Sequence, residues 1–310
     1  MGNQTVPMEF ILNDFSVNPG LQIFTFILFL VIYLAASGGN ILIILIILHA
    51  PHLWTPMYFF VVNLGILDMC YISTTVPNFL KNSLSQRKTI SFIGCVIQLY
   101  VFLSMAATES TLLAVMSYDR YVAICNPLHY HIIMNRKNCL YLAVSAWFNG
   151  TIYSIIHTTN TFRLQFCQSN VIDHFFCDIT PLLKIACSNT KLNEIMIFGV
   201  GAVMILPCFP LIITSYIYII KTVLRIPSAK GRSKTFSTCV SHLTTVGLFY
   251  LTGISVYLHP VSTSTAVNQD KISAVFYTML VPMVNPIIYS LRNKELKEAI
   301  LKRVFIKLIL

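Results

Sequence analysis

Long intervals without a single charged side chain constrain this chain more than any other feature of its sequence. No Asp, Glu, Lys or Arg occurs within residues 138–162, 195–220, 235–269 or 272–291. A transmembrane helix needs about 20 mostly apolar residues, so each interval is long enough to cross a bilayer. These four intervals therefore predict four membrane spans.

The N-terminal half contains three further candidate spans. Asp68 is the only charged residue between Asp14 and Lys81, and the segment His49–Pro56 divides this stretch in two. A third apolar segment ends at Tyr121. In chain order the seven predicted spans are 22–48, 57–80, 92–121, 138–162, 195–220, 235–269 and 272–291. The sequence thus predicts an all-α membrane protein, with one seven-transmembrane helix bundle over residues 1–310.

The composition excludes a soluble or disordered chain. Charged residues make up 10%, hydrophobic residues 56%, and the mean hydropathy is +0.73, whereas soluble domains average about 25% charged residues. The net charge of +10 would suggest nucleic acid binding in a soluble protein. Here most Lys and Arg residues fall on the side of the bilayer that holds the C-terminus. We therefore expect no nucleic acid partner.

The same charge distribution orients the chain. Basic residues mark the cytoplasmic face of a membrane protein, so the C-terminus is expected inside the cell. An odd number of spans then leaves residues 1–21 outside. Residues 1–20 lack a basic, apolar leader, so the first span is expected to act as a signal anchor. The sequence thus predicts a multi-pass plasma membrane protein with an extracellular N-terminus.

Two segments outside the spans carry a structural signal. Residues 163–194 form a long extracellular loop, which we expect to pack on the bundle as a lid or entrance. In the cytoplasmic tail 292–310, apolar residues at four-residue spacing predict a short C-terminal interfacial helix. The alternative is an ordinary charged tail. The residues that carry this spacing are Leu296, Ile300, Val304 and Leu308.

Four of the nine cysteines are predicted to be extracellular, namely Cys95, Cys167, Cys177 and Cys187. An oxidising compartment and an even count favour two disulfides. Three connectivities are open, and in each of them one bond ties the long loop to the bundle. Asn3 begins an N-glycosylation acceptor on the same side. The matching pattern at Asn149 lies inside the fourth span and is interpreted as a false positive.

Few ionisable side chains lie within the predicted spans, where burial makes them costly. Asp68 and Glu109 lie at mid-depth, and together with Asn40 and Asn285 they could form one polar cluster. Such a cluster could bind a cation such as sodium or share a proton. A hydrogen-bonded packing network without an ion is the alternative. No protease motif accompanies the two carboxylates, and we expect the chain not to be an enzyme.

The end of the third span carries the most informative motif. Residues Met116–Tyr130 read MSYDRYVAICNPLHY, and this segment strongly resembles the signature of olfactory receptors, a family of rhodopsin-like G-protein-coupled receptors. Taken alone, the pair Asp119–Arg120 could equally be a snorkelling interfacial charge. Further segments resemble the family's motifs in the family's order, and these are Gly39-Asn40, Thr55–Phe60, Lys234–Cys239, Ser241–Leu243 and Pro282–Asn293.

The resemblance implies a function and several residue roles. It makes Arg120 a switch residue that Asp119 releases toward a G protein, with Tyr216 and Tyr289 meeting near it in the active state. It also implies the disulfides Cys95–Cys177 and Cys167–Cys187. As partners, it implies a small volatile or apolar ligand and a stimulatory heterotrimeric G protein that raises cyclic AMP.

Helical spacing predicts which residues line the ligand pocket. If Glu109 faces the bundle interior, then Ala106, Met105 and Phe102 share its face nearer the outside. The same count selects Tyr250, Gly253, Ile254 and Tyr257 on span six, and Asn285, Thr278 and Ala274 on span seven. Generic helix packing is the alternative for each of them. The lining carries no charge, which disfavours a peptide receptor, and no inverted repeat supports a transporter or channel.

Overall fold

The computed structural model of the chain describes residues 8–13, 15, 18–167, 169–257, 271–292 and 296–301. Within these residues, seven long helices form a bundle, which we call spans one to seven. The predicted fold class is confirmed. The first six spans are Pro19–His49, Pro56–Ser83, Phe92–Cys125, Arg136–Phe162, Lys191–Leu224 and Ala229–Tyr257. Below, outer and inner denote the predicted extracellular and cytosolic sides.

Span seven is not a uniform α-helix. Its described part runs from Lys271 through a π-helical segment at Phe276–Leu280 and continues as the α-helix Val281–Arg292. Among the described residues, six helices are long and apolar enough to cross a membrane. Span six is also long, but its Ser, Thr and His residues lower its hydropathy. Residues 258–269, which were predicted to belong to span six, lie outside the described part.

Side-chain caps fix where several spans begin. The Asn18 side chain accepts a hydrogen bond from the Gly20 backbone at the start of span one, and Ser91 accepts one from Gly94 before span three. Asn135 caps span four in the same way through Asn138. These caps satisfy backbone N–H groups that have no partner within the helix, so each span starts at a defined residue.

Span three is the centre of the bundle and packs against spans two, four and five. Its closest approach to span four occurs at Gly150, where a Cβ atom would collide with Thr108 and with the Ser104 carbonyl. Only a residue without a side chain fits between these helices. The Asn149 side chain donates a hydrogen bond to the Thr111 hydroxyl of span three, so this residue, whose glycosylation pattern was interpreted as a false positive, helps to join the two helices.

Three short strands on the outer side were not predicted from the sequence. Strand β1, Glu9–Leu12, pairs antiparallel with β2, Thr89–Ser91, and parallel with β3, Val171–Ile172. The side chain of Phe10 is fully buried and packs on Phe92 and Phe166. This small sheet joins the N-terminal segment to the first outer turn and to the long loop.

The remaining short elements lie in the loops and the tail. Single turns of 3-10 helix occur at Pro51–Leu53 and Pro127–His129, and short α-helices at Tyr130–Ile133 and Ile179–Lys184. Residues 296–301 are helical, and Leu296 is fully buried. This agrees with the predicted tail helix, of which residues 302–310 lie outside the described part.

Candidate functional site

Phe102 lies at the centre of an aromatic group in the outer half of the bundle. Its ring centroid is 5.1 Å from that of Tyr71, 5.0 Å from Phe176 of the long loop, and 5.8 Å from Tyr277 of span seven. Met105 is buried and Ala106 half-buried on the same helix. The predicted pocket face of span three therefore points into the bundle. Its role in binding a ligand stays a prediction.

The π-helical segment changes which residues of span seven face Phe102. Counting back from Asn285 with a uniform α-helical period selected Thr278 and Ala274. Thr278 is fully buried, and its hydroxyl donates to the Ala274 carbonyl at 2.6 Å. Tyr277 instead packs on Phe102. A π turn holds more residues than an α turn, so the register shifts, and the sequence count missed Tyr277.

Span six contributes a polar link beneath this region. The hydroxyls of Tyr250 and Ser110 lie 3.0 Å apart, and the ring of Phe209 lies 5.7 Å from that of Tyr250. Gly253 is half-buried one turn further out. The predicted side chains of Ile254 and Tyr257 lie outside what the structure describes. The bond between Ser110 and Tyr250 ties span six to span three, and the sequence reasoning missed Ser110.

Asp68, Glu109 and Asn285 lie together in a buried cluster, whereas Asn40 bonds elsewhere. The Asn285 amide donates to both oxygens of Asp68, at 3.0 and 3.2 Å. Glu109 is buried within electrostatic range of Asp68. Its Oε1 atom and the Asn285 carbonyl oxygen have no hydrogen-bond partner among the described residues. Asn40 instead donates to the Ala36 and Pro282 carbonyls, so it joins span one to span seven.

At the inner end of span three, Asp119 and Arg120 have separate partners. The Tyr130 hydroxyl donates to Asp119 at 2.9 Å, and Arg120 contacts the sulfur of Met57. No ion pair joins the two in the described part of the chain, although the resemblance implied that Asp119 holds Arg120. Burial and the neighbouring carboxylate raise the pKa of Tyr130, which keeps its hydroxyl protonated as a donor.

The remaining switch residues lie close to Arg120. Tyr216 is buried within electrostatic range of both Arg120 and Tyr289. Its hydroxyl lies 2.7 Å from Nδ1 of His242, and the two rings stack at an interplanar angle of 15°. This contact joins spans five and six. His242 lies within the motif Ser241–Leu243, but the sequence indicates no role for it, because only the fold shows that it faces Tyr216.

Both disulfides that the resemblance implied are formed. Cys95 is joined to Cys177 with a Cα–Cα distance of 5.5 Å, and Cys167 to Cys187 with 5.9 Å. Both distances suit the geometry of a disulfide. The first bond ties the long loop to span three, and the second closes the loop on itself. The predicted glycosylation site, Asn3, lies outside the described residues.

Comparison with known proteins identifies the family. A family model described as olfactory receptor matches residues 29–307. The chain is 47% identical to olfactory receptor-like protein OLF1 of dog over 99% of its own length and 98% of that protein. The chain belongs to the olfactory receptor family. It is also 49% identical to human olfactory receptor 5I1, with 96% and 94% of the two chains covered, and 48% identical to human olfactory receptor 14A16, with 97% and 96% covered.

Membership of the olfactory receptor family explains the architecture described above. The chain is a multi-pass membrane protein and a receptor rather than an enzyme. In this olfactory receptor the aromatic group around Phe102 lies near the outer side and the Arg120 region near the inner side. The bond between Tyr250 and Ser110 lies between them. Span three therefore runs from the aromatic group to the Arg120 region, and the bond from Ser110 to Tyr250 joins it to span six between them.

Proposed function

We propose that this olfactory receptor binds small volatile or apolar molecules in the outer half of its bundle and activates a stimulatory heterotrimeric G protein, which raises cyclic AMP. The observation that carries the proposal is the family match over residues 29–307. The apolar, aromatic surroundings of Phe102 suit such a ligand.

The proposed ligand contacts come from three spans. They are Phe102, Met105, Ala106, Gly253, Ile254, Tyr257, Ala274 and Thr278. Small ligands gain at most about 1.5 kcal/mol per heavy atom, so affinity should be modest. Aromatic walls supply most of the binding, and a few hydroxyls orient the ligand.

The proposed activation step acts on span six. A ligand activates only if it binds the active arrangement more tightly than the inactive one. Loss of the Tyr250–Ser110 bond would free span six from span three, and loss of the Tyr216–His242 contact would free it from span five. Outward movement of span six would then expose Arg120 to the G protein.

The proposed orientation puts the N-terminus outside a plasma membrane, with Asn3 glycosylated. The basic residues near the C-terminus favour this orientation. Enzymatic removal of N-linked glycan from intact cells would lower the apparent mass of the receptor, and Asn3→Gln would remove that shift. An unchanged mass on deglycosylation would contradict glycosylation at this site.

The carboxylate cluster is proposed to hold a sodium ion in the inactive state. Carboxylate and amide oxygens suit a hard cation, and two buried oxygens there lack a partner among the described residues. The alternative is a shared proton within a plain hydrogen-bond network. Raising sodium should lower agonist potency, and Glu109→Gln should blunt that effect. An unchanged sodium response in the variant would favour the network.

A cyclic AMP screen tests the proposed function. Cells that express the full chain are exposed to a broad panel of volatile compounds, and receptor at the surface is measured in parallel. At least one compound should raise cyclic AMP, and Arg120→Ala should abolish the rise at equal surface expression. A response that survives this substitution would contradict the assigned switch.

A further inference from the structure

Part of the long loop covers Phe102 and is attached to the bundle on two sides. We call this part, residues 173–178, the strap. On one side, the Cys95–Cys177 disulfide fixes the strap to span three, and the Cys177 backbone donates to the Gln98 side chain at 2.9 Å. On the other side, two carboxylates of the strap reach span seven.

Two noncovalent contacts join the strap to span seven. Nζ of Lys271 lies 2.7 Å from Oδ1 of Asp173, and the Tyr277 hydroxyl donates to Asp178 at 3.3 Å. The Lys271 side chain is only 6% exposed, whereas that of Asp173 is 54% exposed. A buried ammonium is costly without an opposite charge, so the position of Asp173 matters to Lys271.

The middle of the strap packs on the candidate ligand site. His174, Phe175 and Phe176 are all buried, and the Phe176 ring lies 5.0 Å from that of Phe102. Tyr277, which bonds to the strap through Asp178, packs on the same Phe102 ring. Opening the strap would therefore uncover Phe102 and disturb two of the rings that pack on it, those of Phe176 and Tyr277.

We propose that Lys271 is a positioning residue that holds the strap closed over Phe102 through Asp173 and thereby slows ligand release. This inference rests on the proposed function, since it concerns the same binding site. The disulfide side acts as a hinge because a covalent bond does not open. The ion pair acts as a latch because one of its partners is half exposed to water.

The test uses the full chain in cells and a volatile agonist from the cyclic AMP screen. The readouts are surface expression, agonist potency, and the decay of the response after washout. Lys271→Met should speed the decay and lower potency by about tenfold, since it removes a charge-assisted hydrogen bond. The charge swap Lys271→Asp with Asp173→Lys should restore both to within about threefold. A role in folding alone would not give this rescue.

Lys191→Met is the matched control. It removes the same charge from an exposed lysine at the outer end of span five, outside the strap, and should leave decay and potency unchanged. If Lys271→Met does not reach the surface, the latch is tested with Asp173→Asn, which changes the exposed partner of the ion pair. This variant should speed the decay as well.

Each remaining outcome has a distinct meaning. Wild-type decay in Lys271→Met or Asp173→Asn at normal surface expression would overturn the latch and leave the proposed function intact. Failure of the charge swap to restore decay would also overturn it. If the wild-type chain responds to no compound in the panel, the proposed function is wrong, and the proposed latch is wrong as well.

Discussion

At the scale of single residues, Gly150 decides how closely spans three and four can pack. The Ser104 carbonyl and the Thr108 side chain occupy the space that a Cβ atom would need. Gly199 on span five offers the opposite case, because a Cβ atom there would meet nothing within 4 Å. Substitutions at these two glycines can therefore be compared within the same protein.

We expect Gly150→Ala to destabilise the receptor and Gly199→Ala to be tolerated. The first forces the helices apart, at about 1–3 kcal/mol for overpacking. The second gains up to about 1 kcal/mol in helix propensity. Thermal unfolding in detergent and surface expression measure both. Equal melting temperatures for the two variants would show that the close approach does not limit stability.

Ala106 tests the predicted pocket face of span three. We expect Ala106→Phe to fill the space beside Phe102 and abolish the response to an established agonist, while surface expression stays normal. Val144→Phe, on an exposed position of span four, is the control and should respond normally. A normal response from Ala106→Phe would show that the pocket does not lie on this face of span three.

At the scale of elements, the spans and the tail helix could be predicted, whereas the π-helical segment and the small outer sheet could not. Charge-free intervals mark span ends because a charge is costly in lipid. Span four, predicted at 138–162, is observed at Arg136–Phe162. The π segment at Phe276–Leu280 leaves no comparable pattern, so the count that selected Thr278 missed Tyr277. Strand β1, Glu9–Leu12, is too short for its alternation to stand out from neighbouring apolar residues.

The parts of the candidate site that lie on one helix could be predicted from the sequence. The contacts that depend on loops could not. Glu109, Ala106 and Phe102 share a face because helical spacing fixes it. The bond from Tyr130 to Asp119 depends on how the inner loop folds back. Neither the path of that loop nor the side chains that it brings together can be predicted from a residue pattern.

The strap carries a second testable feature, the buried His174. Burial, with the neighbouring Lys271 ammonium, lowers its pKa from 6.5 to about 3, while Asp173 opposes this shift and Lys184 adds to it. His174 is therefore neutral in the closed strap. In an open strap it would regain a pKa near 6.5 and take up a proton in acid. The closed strap should be fully stable above pH 6.5 and weaken as pH falls toward 3.

We expect strap opening to increase about tenfold for each pH unit below 6.5. Amide hydrogen exchange of residues 171–178 in the purified receptor measures it, with His174→Phe compared at each pH to remove the intrinsic pH dependence of exchange. The variant keeps a ring among Phe175 and Phe176 but cannot protonate. The same pH dependence in both proteins would contradict this account.

At the scale of the whole molecule, the bundle separates an outer aromatic region from an inner charged one. Phe102 belongs to the first and Arg120 to the second, and both lie on span three. Tyr250 of span six bonds to Ser110 of span three, and His242 of span six bonds to Tyr216 of span five. We expect this arrangement to transmit a change of shape from the outer region to the inner one.

The central claim is that the receptor signals through a G protein. Purified receptor is reconstituted into liposomes with or without the stimulatory heterotrimer, and nucleotide exchange and membrane current are recorded on addition of an agonist. We expect faster nucleotide exchange when the heterotrimer is present and no ligand-evoked current when it is absent. A ligand-evoked current in liposomes that lack any G protein would contradict the central claim.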